Sequence, residues 1–311
     1  MHTTPRLFWF AAAIAAASAL VLSACGKEKP PREFDGASAF TYIERQLEFG
    51  HRIPGTEGHA RMAEWLDSMA RARADSVIVQ RWTHVTQKGD TLPLQNVIAR
   101  YNPAAEKRIL FLAHWDTRPK ADGPRSTDST AAVTGANDGA SGVALLLGVM
   151  DVLKRSPPPP PLGVDILFTD GEDYGDFVEP YTDVLIGARH YAANQAPGPK
   201  PLYGVLFDLV ADKDLQIYQE GNSVTGAPEV VNLVWEAARD LGYGRIFVDT
   251  PKHTLTDDHI ELQKAGIRAI DVVDFDYPAH HTPFDTIDKV SGESLQIVGD
   301  VAVALVRRES R

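Results

Sequence analysis

Short apolar runs alternate along the chain with longer segments in which apolar residues recur every three or four positions. The short runs predict buried β-strands, because strands covered on both faces have few polar positions, and the longer segments predict amphipathic helices. The predicted strands are 77–85, 96–101, 108–113, 164–168, 203–207 and 269–273. The predicted helices are 38–49 capped by Ser38, one capped by Thr56, one that contains Val143 and Met150, 184–193, 228–241, one that begins at Thr256 or Asp257, and one capped by Ser291 that ends near Val306.

The order of these elements predicts the fold class. Strands alternate with helices, and no internal repeat is evident. This alternation is typical of proteins in which helices cover both faces of a central sheet. We therefore predict a single doubly wound α/β domain over residues 34–311. Open sheets of this kind bind ligands outside the carboxyl ends of their strands, so the polar residues at those ends are the candidates for function.

The predicted strand 164–168 is followed at once by a dense acidic turn. Asp170, Glu172 and Asp173 surround Gly171. Carboxylates at this density repel one another unless water solvates them or they share a cation. The functional interpretation is a cation site at the end of the strand, and the alternative is a solvated acidic turn.

Other strand ends and the loops next to them carry histidine or aspartate. His114 ends one predicted strand, and Asp116 follows two residues later, where it can hold the second ring nitrogen of His114. Asp138 lies in a Gly- and Ser-rich segment just before a helix, where capping of that helix is the alternative interpretation. Asp208 ends another strand, and His281 lies in the loop after the last strand. Histidine combined with carboxylates suits zinc, with an acidic residue beside the metal as general acid–base.

The N-terminal segment predicts export and lipid anchoring. An apolar, alanine-rich run from Leu7 to Leu22 follows a weakly basic start, and its ending Leu-Ser-Ala-Cys resembles a bacterial lipobox. We predict a lipoprotein signal peptide over 1–24, lipidation of Cys25, and a polar tether over 25–33. A plain membrane anchor and a conventionally cleaved signal are the alternatives.

The cysteine count and the net charge limit which partners, metal ligands and cell locations are compatible with the chain. Cys25 is the only cysteine, which excludes a disulfide and cysteine ligands for a metal. The net charge of −11 argues against nucleic acid as a partner. Gly26 after the cysteine is compatible with sorting to an outer membrane. The predicted location is therefore the bacterial cell envelope, with a monomeric, lipid-anchored protein that faces the periplasm.

The candidate residues also resemble a known family, the M28 zinc peptidases, and within it the glutaminyl cyclase branch. The general pattern of the family is present as His114-Trp115-Asp116, Asn137-Asp138-Gly139, Glu172-Asp173, Asp208 and His281. The segments that resemble the cyclase branch in more detail are 52–56, 168–173, 185–190, 206–209, 257–260 and 281–282. The resemblance covers residues 38–307 and implies a mixed, largely parallel central sheet.

The resemblance implies one zinc ion with three ligands, which are Asp138, Asp173 and His281. It also implies that Glu172 shuttles protons, while Asp208 and Asp257 form an acid network beside it that raises the pKa of Glu172 by crowding. The implied reaction converts the N-terminal glutamine of a peptide to pyroglutamate and releases ammonia. One departure matters: Asp173 stands where the family usually has a longer glutamate.

Two other functions remain open. In a di-zinc aminopeptidase, His114 and Asp208 would bind a second zinc ion, Asp138 would bridge the two ions, and Glu172 would activate a water that attacks the first peptide bond. The more remote alternative is an inactive envelope lipoprotein that binds peptides. In the two enzymatic interpretations the partners are peptide or protein N-termini.

Several aromatic and histidine residues near the predicted site have less specific roles. Four aromatic residues near the predicted site are candidates to shape the substrate pocket, although aromatic residues in loops more often serve only in packing. They are Trp115, Tyr174, Phe177 and Tyr277. His281 is preferred to His280 as a ligand, since His-Thr matches the family pattern. Structural roles are expected for His190, His253 and His259.

Overall fold

The structure is a computed structural model that describes Met1 and residues 32–310. Apart from Met1, the predicted signal peptide lies outside the described residues, as do Cys25 and most of the predicted tether. No helix in the described part of the chain is both long enough and apolar enough to cross a membrane. Glu33, at the end of the predicted tether, accepts hydrogen bonds from the Arg307 guanidinium at 2.9 and 2.6 Å.

A six-stranded mixed sheet forms the centre of the fold. Its strands are β1 (Ser76–Val85), β2 (Thr91–Tyr101), β3 (Lys107–His114), β4 (Leu162–Thr169), β5 (Gly204–Asp208) and β8 (Ala269–Val273). They lie in the order β1-β2-β4-β3-β5-β8, in which the pairs β1–β2 and β2–β4 are antiparallel and the pairs β4–β3, β3–β5 and β5–β8 are parallel. Each of the six contains or closely overlaps a predicted strand.

Helices cover both faces of this sheet, which confirms the predicted doubly wound α/β class. One face packs against the larger helical layer, α1 (Gly36–Leu47), α2 (Glu57–Arg71), α3 (Ala140–Arg155), α6 (Pro228–Leu241) and α8 (Gly292–Glu309). The other face packs against α4 (Ile186–Ala193) and α7 (Asp258–Lys264). A short helix α5 (Gly221–Gly226) and a two-stranded sheet, β6 (Ile217–Gln219) and β7 (Phe247–Pro251), were not predicted.

Two predicted helix starts are wrong by a few residues. The first helix is capped by Asp35, whose carboxylate accepts hydrogen bonds from the Ser38 backbone N–H and hydroxyl at 3.0 and 2.7 Å. Ser38 therefore lies inside that helix. The helix predicted from residue 184 begins at Ile186, because Leu185 has a left-handed backbone with φ +53°. The predicted caps Thr56, Asp257 and Ser291 are found in place.

A buried charge cluster joins three strands on the α4 and α7 face. Asp165 in β4 accepts hydrogen bonds from Nε of Arg100 in β2 and Nε of Arg108 in β3, both at 3.0 Å. The three side chains are at most 6 % exposed. Buried charges require such pairing, so a charged residue is compatible with the otherwise apolar strand 162–169.

Candidate active site

The predicted site residues lie at the carboxyl edge of the parallel strands. His114 is the last residue of β3 and Asp208 the last of β5, while Glu172 and Asp173 follow β4. The remaining three predicted site residues are Asp138 just before α3, Asp257 as the cap of α7, and His281 in the loop after β8. Parallel strands bring their carboxyl ends to one edge of a sheet, which places these distant residues together.

His114 is surrounded by carboxylates. Its Nε2 atom lies 3.2 Å from Oδ1 of both Asp138 and Asp208. Its Nδ1 atom lies 3.5 Å from Asp116 Oδ1 and 3.7 Å from Glu172 Oε2. Burial lowers the pKa of His114, but hydrogen bonding to Asp116, Asp138 and Asp208 outweighs burial and raises the pKa well above its usual value. Without a bound cation, these acids therefore favour the imidazolium form.

His281 forms the other half of the site. Its Nε2 atom lies 3.2 Å from Asp173 Oδ1 and 3.6 Å from Asp138 Oδ2. Burial raises the pKa of Asp173, but the charges of His281 and Arg118 outweigh it and hold the pKa below its usual range. The structure thus brings all three predicted zinc ligands together around one ring nitrogen.

The donor set fits a metal ion. Asp138 Oδ2 and Asp173 Oδ2 are buried and accept no hydrogen bond from the residues that the structure describes. Two groups place their ligand atoms within 4.8 Å of one another, namely Asp138 with His280 and His281, and His114 with Asp138 and Asp208. Buried carboxylate oxygens without donors are costly unless a cation satisfies them. The arrangement suits a divalent metal, and Asp138 belongs to both groups.

Asp138 is held by its backbone rather than by capping. Helix α3 begins after Gly139, which makes no side-chain cap bond and has φ +82°. A Cβ atom at Gly139 would lie 2.6 Å from the Asp116 carbonyl oxygen and 3.2 Å from the His114 ring. The backbone N–H groups of Asn137 and Asp138 donate to the buried carboxylate of Asp285 at 2.9 and 3.0 Å. The side chain of Asp138 is therefore free for the site, and the capping alternative is wrong.

The acidic turn after β4 is ordered by Asp116. Its carboxylate accepts the backbone N–H groups of Glu172 and Asp173 at 3.1 and 3.2 Å. Gly171 permits the turn with φ +69°. The Asp170 side chain points away from the site. Its Oδ1 atom lies 2.8 Å from His59 Nε2, and its Oδ2 atom accepts a hydrogen bond from the Gln95 backbone N–H at 2.6 Å. Only two of the three acids in the turn therefore face the site.

A cavity of about 350 Å³ opens onto these groups. Its polar floor includes acids and both adjacent histidines, and its walls are aromatic, aliphatic and hydroxyl side chains. The lining residues are Asp138, Glu172, Phe177, Tyr181, Asp208, Thr254, Leu255, Thr256, Asp257, Val273, Phe275, His280 and His281. The volume and the apolar walls suit the end of a peptide chain.

Burial dominates the electrostatics of the acids in the cavity. Burial raises the pKa of Glu172 well above its usual value, and the charges of Asp173, Asp257 and Asp258 raise it further against the opposing effect of His114. Burial also raises the pKa of Asp208 and of Asp257. The raised pKa of Glu172 agrees with the expectation from the sequence, but its main cause is burial, and crowding by neighbouring acids is a smaller cause.

Packing is the outcome for three of the four aromatic candidates, and of the four only Phe177 lines the cavity. Trp115 is fully buried and stacks on His59 at 4.4 Å between ring centroids. Tyr174 packs against the side chains of a small apolar cluster next to β2. Tyr277 donates its hydroxyl to Asp285 at 2.7 Å. Trp115 is buried because its side chain points into the core, although its neighbours in sequence, His114 and Asp116, belong to the site.

The remaining histidines differ in their surroundings. His280 lines the cavity beside His281, and burial together with the His281 charge lowers its pKa to about 3. His190 stacks on Trp82 at 3.9 Å. His253 contacts an aspartate at the surface and His259 contacts a buried glutamate, at 3.0 and 3.2 Å. The last three are structural, as expected.

Sequence reasoning missed the residues that hold the site together from outside. Arg118 and Asp122 lie in the polar segment 117–134 after β3, where no site residue was predicted, and Asp285 lies four residues after His281. Arg52 is fully buried and donates to Thr134 and Gly135 carbonyl oxygens at 3.1 and 2.6 Å. No local signal marks Arg118 and Asp122, because pairing of opposite charges four residues apart is expected on a helix and this segment is irregular.

Comparison with known proteins gives relatives of two kinds. Over 228 residues, the chain is 27% identical to aminopeptidase YwaD of Bacillus subtilis (strain 168), which covers 68% of this chain and 44% of that protein. Over 147 residues, it is 31% identical to glutaminyl-peptide cyclotransferase of Drosophila melanogaster, which covers 45% of this chain and 38% of that protein. The chain therefore spans less than half the length of these two curated relatives.

Solved structures match over nearly their whole length. The crystal structure of Bacteroides thetaiotaomicron glutaminyl cyclase bound to N-acetylhistamine is similar with a TM-score of 0.83 and 34% identity. The crystal structure of a leucine aminopeptidase precursor from the same organism gives the same two values. Each match covers 88% of this chain and 97% of the other. The model of the Peptidase family M28 matches residues 96–306, more than half of the chain. By fold, by site geometry and by this match, the chain belongs to Peptidase family M28.

Proposed function

We propose that the protein is a zinc-dependent glutaminyl-peptide cyclotransferase, which converts an N-terminal glutamine of a peptide to pyroglutamate. The observation that carries this proposal is the position of Glu172. Glu172 is 7 % exposed and lines the same cavity as Asp138 and His281, two of the proposed zinc ligands. A general acid–base group with a raised pKa therefore lies beside the proposed metal in the same cavity.

The proposed zinc ligands are Asp138, Asp173 and His281, with one ion expected. Their free oxygens and the shared His281 nitrogen fit the carboxylate and imidazole donors that zinc prefers. When bound, zinc supplies Lewis acidity toward the substrate carbonyl oxygen. The chain itself then has to bind the peptide end, exclude water and move one proton.

Glu172 moves that proton. The α-amine nitrogen of the substrate forms a bond to the carboxamide carbon (Cδ) of its own side chain, and the bond from that carbon to the amide nitrogen breaks. Glu172 takes the proton that the attacking amine loses and gives it to the departing nitrogen, which leaves as ammonia. The reaction is balanced without water, because the enzyme returns to its starting protonation state. Holding amine and carboxamide in one cavity makes the attack an oriented intramolecular step.

Asp208 and Asp257 support the proton shuttle. Both line the cavity beside Glu172, and burial raises the pKa of each. Asp208 contacts His114 Nε2 at 3.2 Å, so in this proposal His114 belongs to the hydrogen-bonded network and not to a metal. An acid with a raised pKa can accept a hydrogen bond from the substrate ammonium or hold its proton.

The cyclase is tested with the purified chain and a peptide that begins with glutamine. Mass spectrometry is expected to find loss of ammonia from an otherwise intact peptide. The variant E172Q is expected to lower kcat by about 10²- to 10⁴-fold, the usual contribution of a general acid–base group. Its zinc content and Tm serve as the control for folding. Release of free glutamine instead of ammonia would contradict the proposal.

A di-zinc aminopeptidase is the second candidate, and one observation favours it. Ligand atoms of His114, Asp138 and Asp208 lie within 4.8 Å of one another, which is compatible with a second ion. In that case Glu172 would hold a proton from an attacking water instead of an amine. Metal analysis separates the two functions, since the aminopeptidase requires two zinc ions per chain and H114A would remove one of them.

We also propose that the protein is exported and anchored through lipid on Cys25. The lipobox-like ending at residues 22–25 and the single cysteine support this location. Mass spectrometry of the N-terminal peptide from a bacterial envelope fraction is expected to find a diacylglyceryl group on Cys25. The variant C25S is expected to lose the lipid and leave the membrane fraction. An unmodified cysteine in the mature protein would contradict the proposal.

A further inference from the structure

Arg118 is a buried arginine that contacts both sides of the candidate metal centre. Its side chain is 2 % exposed and lies in the segment between β3 and α3. The guanidinium is bonded to two carboxylates, Asp122 and Asp173, and lies 5.4 Å from the ring centroid of Phe177. No role in substrate or metal binding has been assigned to it above.

Toward Asp173, Arg118 fixes both the side chain and the backbone. Its Nη1 atom donates to Asp173 Oδ1 at 2.9 Å and to the Asp173 carbonyl oxygen at 3.1 Å. The Asp173 N–H donates to Asp116 at 3.2 Å on the other side of the same residue. Oδ1 is therefore engaged, whereas Oδ2 is buried and has no donor among the described residues. Oδ1 also lies 3.2 Å from His281 Nε2, so Arg118 holds the oxygen that faces His281 and leaves Oδ2 without a partner among the described residues.

Toward His281, Arg118 acts through Asp122. Its Nε and Nη2 atoms donate to Asp122 Oδ1 and Oδ2 at 2.6 and 2.7 Å, a two-pronged contact that fixes the carboxylate plane. Asp122 Oδ1 lies 3.6 Å from Nδ1 of His281, while Nε2 of the same ring faces Asp138 and Asp173. A metal-binding histidine commonly directs its second ring nitrogen to such a carboxylate, which sets the tautomer and the ring orientation.

We propose that Arg118 and Asp122 are positioning residues for zinc binding. Arg118 presents Asp173 as a donor of one oxygen, and Asp122 orients the ring of His281 toward the same point. Arg118 joins the two contacts, so that one guanidinium sets the distance between two ligands from different loops. The inference goes beyond the proposed function, because it concerns metal affinity and holds for a cyclase and an aminopeptidase alike.

The arrangement also accounts for the short ligand at position 173. An aspartate carboxylate reaches one methylene less far than the glutamate that the family pattern leads one to expect. Bonds from both backbone groups of Asp173, to Asp116 and to Arg118, fix where its Cα lies. The backbone is therefore held in place from two sides and can set the reach of the shorter side chain.

The test compares R118K and D122N with the wild type, using the full chain. Zinc is removed with a chelator, and the zinc Kd is measured by competition with an indicator of known affinity. D122N alters the carboxylate that faces His281, and R118K alters the guanidinium that holds this carboxylate. Each variant is expected to weaken zinc binding by about 10- to 100-fold. Cobalt(II) is then bound in place of zinc, and its visible absorption spectrum is expected to change in R118K, since that spectrum reports ligand geometry.

Arg73 provides the matched control. It is 12 % exposed and donates to Asp151 at 2.8 Å and to the Tyr42 hydroxyl at 2.9 Å, away from the site. The variant R73K loses a comparable contact and is expected to keep the wild-type zinc Kd. A general loss of stability would affect zinc binding in both arginine variants.

Three outcomes overturn the proposal. The first is a wild-type zinc Kd in both R118K and D122N. The second is an equal loss of zinc affinity in R118K and R73K. The third is full additivity in the double variant R118K/D122N, because residues that act through one network show coupling energies. If R118K does not fold, D122N alone decides, since it removes one charge and keeps the size of the side chain.

Discussion

At the scale of single residues, the site depends on which oxygen atoms already have partners. Asp285 uses both carboxylate oxygens for backbone N–H groups and Tyr277, and Asp116 uses both for the turn after β4. Asp138 and Asp173 each retain a buried oxygen without a donor among the described residues. The first pair is structural and the second pair is free to bind a cation, although all four side chains are buried aspartates.

Lengthening the short ligand is expected to weaken the site. In D173E, one additional methylene enters a position whose side chain is 1 % exposed and fixed between Arg118 and His281. Overpacking of this kind costs about 1–3 kcal/mol, which corresponds to about 5- to 150-fold in zinc Kd if the strain falls on the bound state. The competition assay with an indicator measures the change. D173N, which keeps the length and removes the charge, gives the comparison, and tighter binding by D173E would show that reach is the limiting factor.

The pH dependence of the reaction is expected to follow Glu172. A protonated Glu172 cannot accept the proton of the attacking amine, so kcat/KM falls as pH decreases through the raised pKa of this group. D257N removes a negative charge that contributes to the raised pKa, and the acidic limb of its profile is expected to move to lower pH. Profiles of kcat/KM for the wild type and D257N measure the shift. A limb that moves to higher pH would contradict this assignment.

At the scale of elements, charge and turn geometry decide where strands and helices begin and how they are joined. Leu185 has positive φ and precedes α4, so this helix begins two residues later than its apolar pattern indicates, and Gly139 with φ +82° precedes α3. Asp165 joins β2, β3 and β4 through two arginines at the buried face of the sheet. Two of these strands lead into the site, since β3 ends at His114 and β4 is followed by the acidic turn.

Loss of the Asp165 charge is expected to destabilise the sheet. D165N leaves Arg100 and Arg108 buried without a counter-charge, which costs about 3–5 kcal/mol when a buried ion pair is broken. Urea unfolding of the zinc-free protein measures the difference. E229Q breaks an exposed pair with Arg268 and serves as the control, with an expected change of about 0–1 kcal/mol. Equal effects in the two variants would contradict a special contribution of the buried cluster.

At the scale of the whole molecule, the mixed sheet concentrates negative charge at one place. Parallel strands β3, β4 and β5 end side by side, and each ends in or next to an acidic or histidine residue. The folded chain therefore keeps several carboxylates buried in one cavity, where their repulsion opposes folding unless protons or a cation offset it. Metal binding and overall stability are expected to be linked.

Removal of zinc is expected to lower the Tm, and its return is expected to restore it. A ligand that binds only the folded state stabilises by about 2.7 kcal/mol at a concentration of 100 Kd. Differential scanning calorimetry across a zinc series measures the effect after treatment with a chelator. D138N lacks a proposed ligand and is expected to show a much smaller dependence on zinc. A Tm of the wild type that does not respond to zinc would contradict a metal site in the folded protein.

Much of this architecture could be predicted without coordinates. The six strands of the central sheet have apolar runs long enough to identify, and their ends carry the residues that meet in the cavity. The strands Ile217–Gln219 and Phe247–Pro251 and the helix Gly221–Gly226 were missed because none of them is an apolar run: the first has three residues, and the other two contain few apolar residues.

The sequence by itself determined the alternation of strands and helices, the family pattern and the residue types at the strand ends, because these are local properties of the chain. Only the tertiary structure decided which acids are free to bind a metal and which are used for support. Asp285 holds Asp138 across 147 positions, and Arg118 reaches Asp173 across 55. Such contacts depend on how distant segments pack, and no periodicity in the sequence records them.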